Sequence, residues 1–160
     1  MYDFTADPAL PKPELYRELL AAADGLTAGE PDAVANMANV AAMISEWVPE
    51  LNCAGFYRLQ GEVLVLGPFA GKPACIRIPL GQGVCGTAAL RKATQRVVDV
   101  HAFPGHIACD GASRSELVVP VLREGEVIAV IDLDSPRPGR FDGEDQAGIE
   151  ALAALVAGRI

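Results

Sequence analysis

Two rhythms of apolar residues divide the chain. Over the first third the spacing is three and four: Leu15, Leu19 and Leu20 share one helical face, and Val34, Met37, Val40, Met43, Ile44 and Trp47 share another. Pro13-Glu14-Leu15 suits a helix start and Gly25 a stop, and the second helix is expected from near Pro31 to about Trp47. From residue 53 the spacing drops to two. Residues 54–59 read as a strand, Gly61 as a turn and residues 63–66 as the hairpin partner, with Cys75-Ile76-Arg77-Ile78 as a third strand. A glycine-rich turn then leads into a short helix at 87–92, a strand at 96–98 and a long loop over 99–115. Residues 116–122 and 127–133 form a second hairpin across Glu124-Gly125. A last helix, striped by Ile149, Leu152, Leu155 and Val156, is expected from Glu144 to about Arg159.

Tight turns join most neighbouring strands, which favours an antiparallel sheet over a doubly wound one. The expected fold class is α+β: a central antiparallel sheet, helices covering one face and the long loop lying over the other. A single domain over residues 1–160 is expected, with residues 1–12, which carry Pro8 and Pro11, as an irregular lead-in. Long irregular loops in compact domains are usually functional, so 99–115 is where chemistry is sought first.

Composition narrows the partners. Of 160 residues, 51% are apolar and 21% charged, which excludes disorder and allows a buried core without staples or metals. The most apolar stretches, 117–122 and 127–133, are far shorter than the roughly 20 residues of a spanning helix, so no membrane partner is expected. Met1-Tyr2-Asp3-Phe4 carries neither a basic nor an apolar leader region, so the expected location is the cytoplasm. A net charge of -8 repels phosphate backbones, so nucleic acid is not an expected partner. A cytosolic chain of this size needs no disulfides to fold. Cys53, Cys75, Cys85 and Cys109 are then buried hydrophobes, metal ligands or redox groups.

Gly81-Gln82-Gly83-Val84-Cys85-Gly86 matches a dinucleotide-binding glycine pattern, but the following helix is short and the preceding strands pair as hairpins, so the match is read as a tight turn. Asp132 and Asp134 lie two apart on one strand and therefore share a face of the sheet. Glu116 begins the neighbouring strand at nearly the same level. Three acids at one sheet end repel each other unless they bind a cation or one keeps a proton, which points to an ammonium ligand or a general acid. Cys109 sits in the long loop shortly before Glu116, which favours reactivity over core packing. Taken singly, Cys75 and Cys85 read as buried thiols. A zinc site of Cys75, Cys85, Cys109, His101 and His106 competes, but no metal-ligand spacing supports it.

Several longer segments together resemble one family. They are residues 67–75, Gly83-Val84-Cys85-Gly86-Thr87-Ala88, residues 103–110 followed by Ser113-Arg114-Ser115-Glu116, and Asp132-Leu133-Asp134-Ser135-Pro136 with Arg140-Phe141-Asp142. The chain resembles the free methionine-(R)-sulfoxide reductases, stand-alone GAF domains, over about residues 14–158. The resemblance implies reduction of free L-methionine (R)-sulfoxide without a bound cofactor, recycled by thioredoxin, in a homodimer. It assigns Cys109 as the attacking thiolate and Cys75 as the thiol that condenses with the resulting sulfenic acid. Cys85 becomes a further redox thiol. Glu116 protonates the sulfoxide oxygen with Asp134 assisting, and Asp132 and Asp134 hold the substrate ammonium.

One departure stands out. The family carries tryptophan after the asparagine that precedes the first strand, as a wall for the substrate methyl group, and here that position is Cys53. A thiol removes much of that wall; Tyr57 is the aromatic expected to contact substrate in its place, with Trp47 the other option. The competing function is a GAF module that senses a small ligand without turnover, in which the cysteines would be dispensable.

Overall fold

The first helix, α1, spans Lys12–Thr27, and the second, α2, spans Ala33–Trp47. The protein is described from a computed structural model covering Asp7 and residues 9–160. The expected lead-in lies largely outside the described residues, and the chain is already helical at Lys12. Gly25 does not stop α1. Nothing lies within 4 Å of where its Cβ would be, so no neighbour forces a turn there, and the helix ends two residues later. Asp32 caps α2 by accepting the Ala35 backbone N–H at 2.8 Å.

Six strands follow: β1 Cys53–Gln60, β2 Val63–Gly71, β3 Arg77–Pro79, β4 Gln95–Val97, β5 Ser115–Arg123 and β6 Glu126–Ser135. They form one sheet in the order β3-β2-β1-β6-β5-β4, and every neighbouring pair is antiparallel. The third helix, α3, is Gly83–Arg91 and the last, α4, is Gly143–Val156. Asp142 and Asp145 form a reciprocal capping box that starts α4. No helix among the described residues is long and apolar enough to cross a membrane.

The two faces of the sheet have different jobs. Phe56, Leu117, Ile131 and Leu133 point to one face and bury against Leu19, Val40, Ile44, Trp47, Ile149 and Leu152 of α1, α2 and α4. Their alternates Tyr57, Val118 and Val130 point to the other, where Ile78, Val84, Cys85 and Ala88 cover them. The period-2 alternation that sends Ile131 and Leu133 into the helical layer therefore sends Asp132 and Asp134 to the opposite face. Trp47 belongs to the helical layer and is on the wrong side to replace a wall beside those acids.

Among the boundaries that differ from the sequence reading, three bear on the placement of the cysteines. β2 runs on through Gly71 because β1 keeps pairing with it as far as Cys53. Cys75 precedes β3 instead of opening it. α3 begins at Gly83, so Cys85 sits in its first turn. Gly81 and Gly83 have φ of +79° and +61°, and a Cβ on Gly86 would come within 2.4 Å of the Pro79 carbonyl oxygen. The glycine pattern lets α3 start hard against the sheet, which places Cys85 over the acidic end.

Candidate active site

Strand register settles the level of the acids. Cys53 pairs with Asp134 across β1 and β6, and Asp134 pairs with Glu116 across β6 and β5, so the three share one row. Asp132 sits in the next row between Gly55 and Val118. Gly55 lies at a bulge where a Cβ would come within 2.3 Å of the Phe69 Cβ. Its lack of a side chain leaves the β1 position directly opposite Asp132 open.

Glu116 and Asp132 are 6% and 7% exposed, and the start of α3 closes over them. The Cys85 thiol lies 3.8 Å from Glu116 Oε1, on the donor side of a weak hydrogen bond. His106 Nε2 stands 4.0 Å from Glu116 Oε2. Together with Asp134, Cys109 and Ser113 these residues line a narrow cleft of about 20 Å³. Asp132 Oδ1 is buried and has no hydrogen-bond partner. A buried acceptor left open in a cleft is a place where a donor from a ligand would be bound.

Burial drives the electrostatics. It pushes Glu116 well above the usual carboxylate range, and the charges of Asp132 and Asp134 push it further. Burial raises Asp132 to about 6, although hydrogen bonds from Cys85 and Glu116 oppose the shift. Asp134 rises to about 8 through burial and the neighbouring charge of Asp132. The Cys85 thiol is also raised, by burial first and then by the same carboxylates, so it is kept as a proton donor and not as a thiolate. The arrangement stores protons. It can donate one to an oxygen, and once ionised it can hold a cation. Cys85 Sγ and one oxygen each of Glu116 and Asp132 lie within 4.8 Å of one another, close enough for one small cation or an ammonium group.

This proton store makes stability depend on pH with a definite sign. Acids whose folded pKa lies above the unfolded value of about 4 bind more protons folded than unfolded. Their contribution is complete below about pH 4 and is lost as pH rises towards the value of about 8 for Asp134. The expected result is a melting temperature of the ligand-free protein that declines from mildly acidic pH towards pH 8, with a shallower decline in Asp134→Asn. Differential scanning calorimetry across that range, in buffers of equal ionic strength, checks both.

Cys75 and Cys109, 34 residues apart, are joined by a disulfide with their Cα atoms 5.3 Å apart. This ties the β2–β3 connection to the long loop. Of the residues read from the sequence, Cys85, Cys109, Glu116, Asp132 and Asp134 converge on the cleft, and Cys75 reaches it through the bond to Cys109. Tyr57 does not line it. Its side chain is buried in the layer that holds Ile78 and Val84, and its hydroxyl donates to the Cys75 carbonyl oxygen at 3.0 Å. The five-residue zinc set is not assembled either, because the disulfide takes up two of its thiols and His101 is exposed. Cys53 is free and half-buried at the end of the Asp134 row, with its thiol pushed up by burial and the surrounding acids.

Two polar residues had no role in the sequence reading, Asn52 and Ser113, and His106 entered it only through the zinc set. Asn52 Nδ2 donates to Asp110 Oδ2 and to Ser113 Oγ, both at 3.0 Å, and Ser113 is nine-tenths or more buried beside Asp134. An asparagine just before a strand and a serine in a loop are ordinary in sequence. Only the closure of the loop onto the sheet makes them part of the site.

The GAF domain family model matches residues 34–160. The free methionine-R-sulfoxide reductase of Escherichia coli K12 is 50% identical over 143 residues, covering 89% of this chain and 87% of that protein. The free methionine-R-sulfoxide reductase of Saccharomyces cerevisiae is 43% identical over 155 residues, covering 92% and 86%. The X-ray structure of the Neisseria meningitidis free methionine-R-sulfoxide reductase in complex with its substrate superposes with a TM-score of 0.94 at 42% identity, over 99% of this chain and 95% of that one. With the α+β architecture, the GAF match and relatives of this closeness over nearly its whole length, the chain belongs to the free methionine-R-sulfoxide reductases, oxidoreductases built on a GAF domain.

Proposed function

We propose that the chain reduces free L-methionine (R)-sulfoxide to L-methionine, with Cys109 as the nucleophile. The observation that carries this reading is a disulfide whose Cys109 half lines a cleft containing Glu116, Asp132 and Asp134. Two thiols able to bond, next to an acid kept protonated by burial, are what reduction of a sulfoxide requires. Its oxygen leaves only after protonation.

The Cys109 thiolate attacks the sulfoxide sulfur while Glu116, assisted by Asp134, gives a proton to the oxygen. The sulfur–oxygen bond breaks, the hydroxyl passes to Cys109 as a sulfenic acid, and methionine leaves reduced by two electrons. The Cys75 thiol then attacks the Cys109 sulfur, a disulfide forms and water departs. Thioredoxin, a dithiol reductant, reopens the disulfide by exchange, which supports a cytoplasmic setting. Asp132, with its open Oδ1, and Asp134 hold the substrate ammonium. Cys85 is buried at 4% exposure while both disulfide cysteines are half-buried, so its role in this reading is to hydrogen-bond Glu116 and not to meet a partner protein.

A thioredoxin-coupled assay following NADPH loss on the separated epimers tests the proposal. The expected result is turnover of the free R epimer and none of the S epimer. Binding of methionine or its sulfoxide with no NADPH consumption would instead make the chain a ligand sensor.

A further inference from the structure

The disulfide holds Cys109 in place only while it is closed. In the reduced chain, which must receive substrate under the reading above, that link is gone. Residues 107–109 make no backbone hydrogen bond to the rest of the protein among the described residues. Something else has to keep the nucleophile beside the carboxylates.

The next residue supplies the handle. Asp110 closes a small turn: its Oδ1 accepts the Ala112 N–H at 2.9 Å and its carbonyl oxygen accepts the Ser113 N–H at 3.2 Å. Its other carboxylate oxygen and the Ser113 hydroxyl both accept from Asn52 Nδ2. Asn52 is itself fixed to the sheet, because its backbone N–H donates to the Asp134 carbonyl oxygen at 3.0 Å. The Asn52 amide thus joins the loop of Cys109 to the residue that carries a cleft carboxylate, beside the hydrogen bond that Ser113 makes to the Asp134 carboxylate itself. Lys72 adds only a long contact of 4.0 Å to Asp110 from an exposed position. Asn52 Oδ1 is buried without a partner, so the amide is oriented by its two donated bonds alone.

We infer that Asn52 is a positioning residue, a tether that holds the Cys109 loop against Asp134 when the Cys75–Cys109 disulfide is open. The inference rests on Cys109 being the nucleophile. It makes the tether redox-specific: redundant in the oxidised chain, where the disulfide does the same job, and needed in the reduced one.

The test compares wild type, Asn52→Ala and the double variant Asn52→Asp/Asp110→Asn, each as the full chain in both redox states. The double variant exchanges donor and acceptor. The new amide at 110 donates to the new carboxylate at 52 and keeps an oxygen for the Ala112 N–H. Hydrogen exchange at the Ala112 and Ser113 amides should accelerate about tenfold in reduced Asn52→Ala and less than about twofold in its oxidised form. The first-turnover rate of methionine formation should fall roughly tenfold or more, as for a nucleophile held off its line of attack. The double variant should regain most of both. Equal acceleration in both redox states would overturn the inference and leave Asn52 a general structural strut, and so would no acceleration in the reduced chain. If wild type forms no methionine from either epimer, the proposed function fails, while the exchange data still report on the tether.

Discussion

Cys109→Ser should lose sulfoxide reduction by on the order of 10³-fold or more, because a serine hydroxyl is not ionised near neutral pH and cannot be oxidised to a sulfenic acid. The substitution also removes the Cys75–Cys109 cross-link. Cys75→Ser removes the same cross-link and keeps the nucleophile, so it separates the two causes. It should release about one methionine per chain and then stall with thioredoxin, since no partner thiol remains to condense with the sulfenic acid. Quantifying methionine per chain by mass spectrometry in rapid mixing checks both variants. A Cys109→Ser protein that turned over like wild type would move the nucleophile elsewhere. The buried, proton-bearing Cys85 is poorly suited to take its place.

Glu116→Gln should lower the first-turnover rate by about 10² to 10³, within the range for losing a positioned general acid. Glutamine keeps the size and can still donate a hydrogen bond from its amide, but it has no proton to transfer. The sign of the pH effect is fixed by the direction of the Glu116 shift. Its acid form is the active one, so the wild-type rate should decline as pH rises through its raised pKa. That basic limb should vanish in Glu116→Gln. A stopped-flow pH profile of both proteins reads it directly, and a Gln variant with the same basic limb would assign the acid to Asp134.

The strand pattern carried most of this architecture. Period-2 alternation put Asp132 and Asp134 on one face, and the hairpin at Glu124-Gly125 brought Glu116 level with them, as the observed register does. What alternation does not encode is how far a strand continues once its pairing partner holds it, so β2 outruns its apolar run by five residues, from Leu66 to Gly71. Helix stops are similar. Gly25 carries an intrinsic cost that packing of Tyr16, Leu19 and Ala23 into the core overrides.

The site was legible where residue type restricts chemistry and illegible where geometry decides. Cysteines and clustered acids announce themselves; Asn52 does not, because its importance comes from which loop closes over it. Tyr57 shows the reverse. An aromatic next to a site looks like a wall in sequence, yet its hydroxyl is committed to the Cys75 carbonyl. Cys53 remains a half-buried thiol in the Asp134 row, and nothing in the structure explains why a thiol stands there.

The measurement that bears most directly on the whole scheme is a single turnover without any recycling reductant. Fully reduced protein is mixed with free methionine (R)-sulfoxide, quenched by acid and alkylation, and analysed for methionine and for linked peptides. One methionine per chain, two thiols lost and a Cys75–Cys109-linked peptide are the predicted result, with the S epimer inert. Methionine formed with both Cys75 and Cys109 still alkylatable, or no methionine from the R epimer at all, would contradict it.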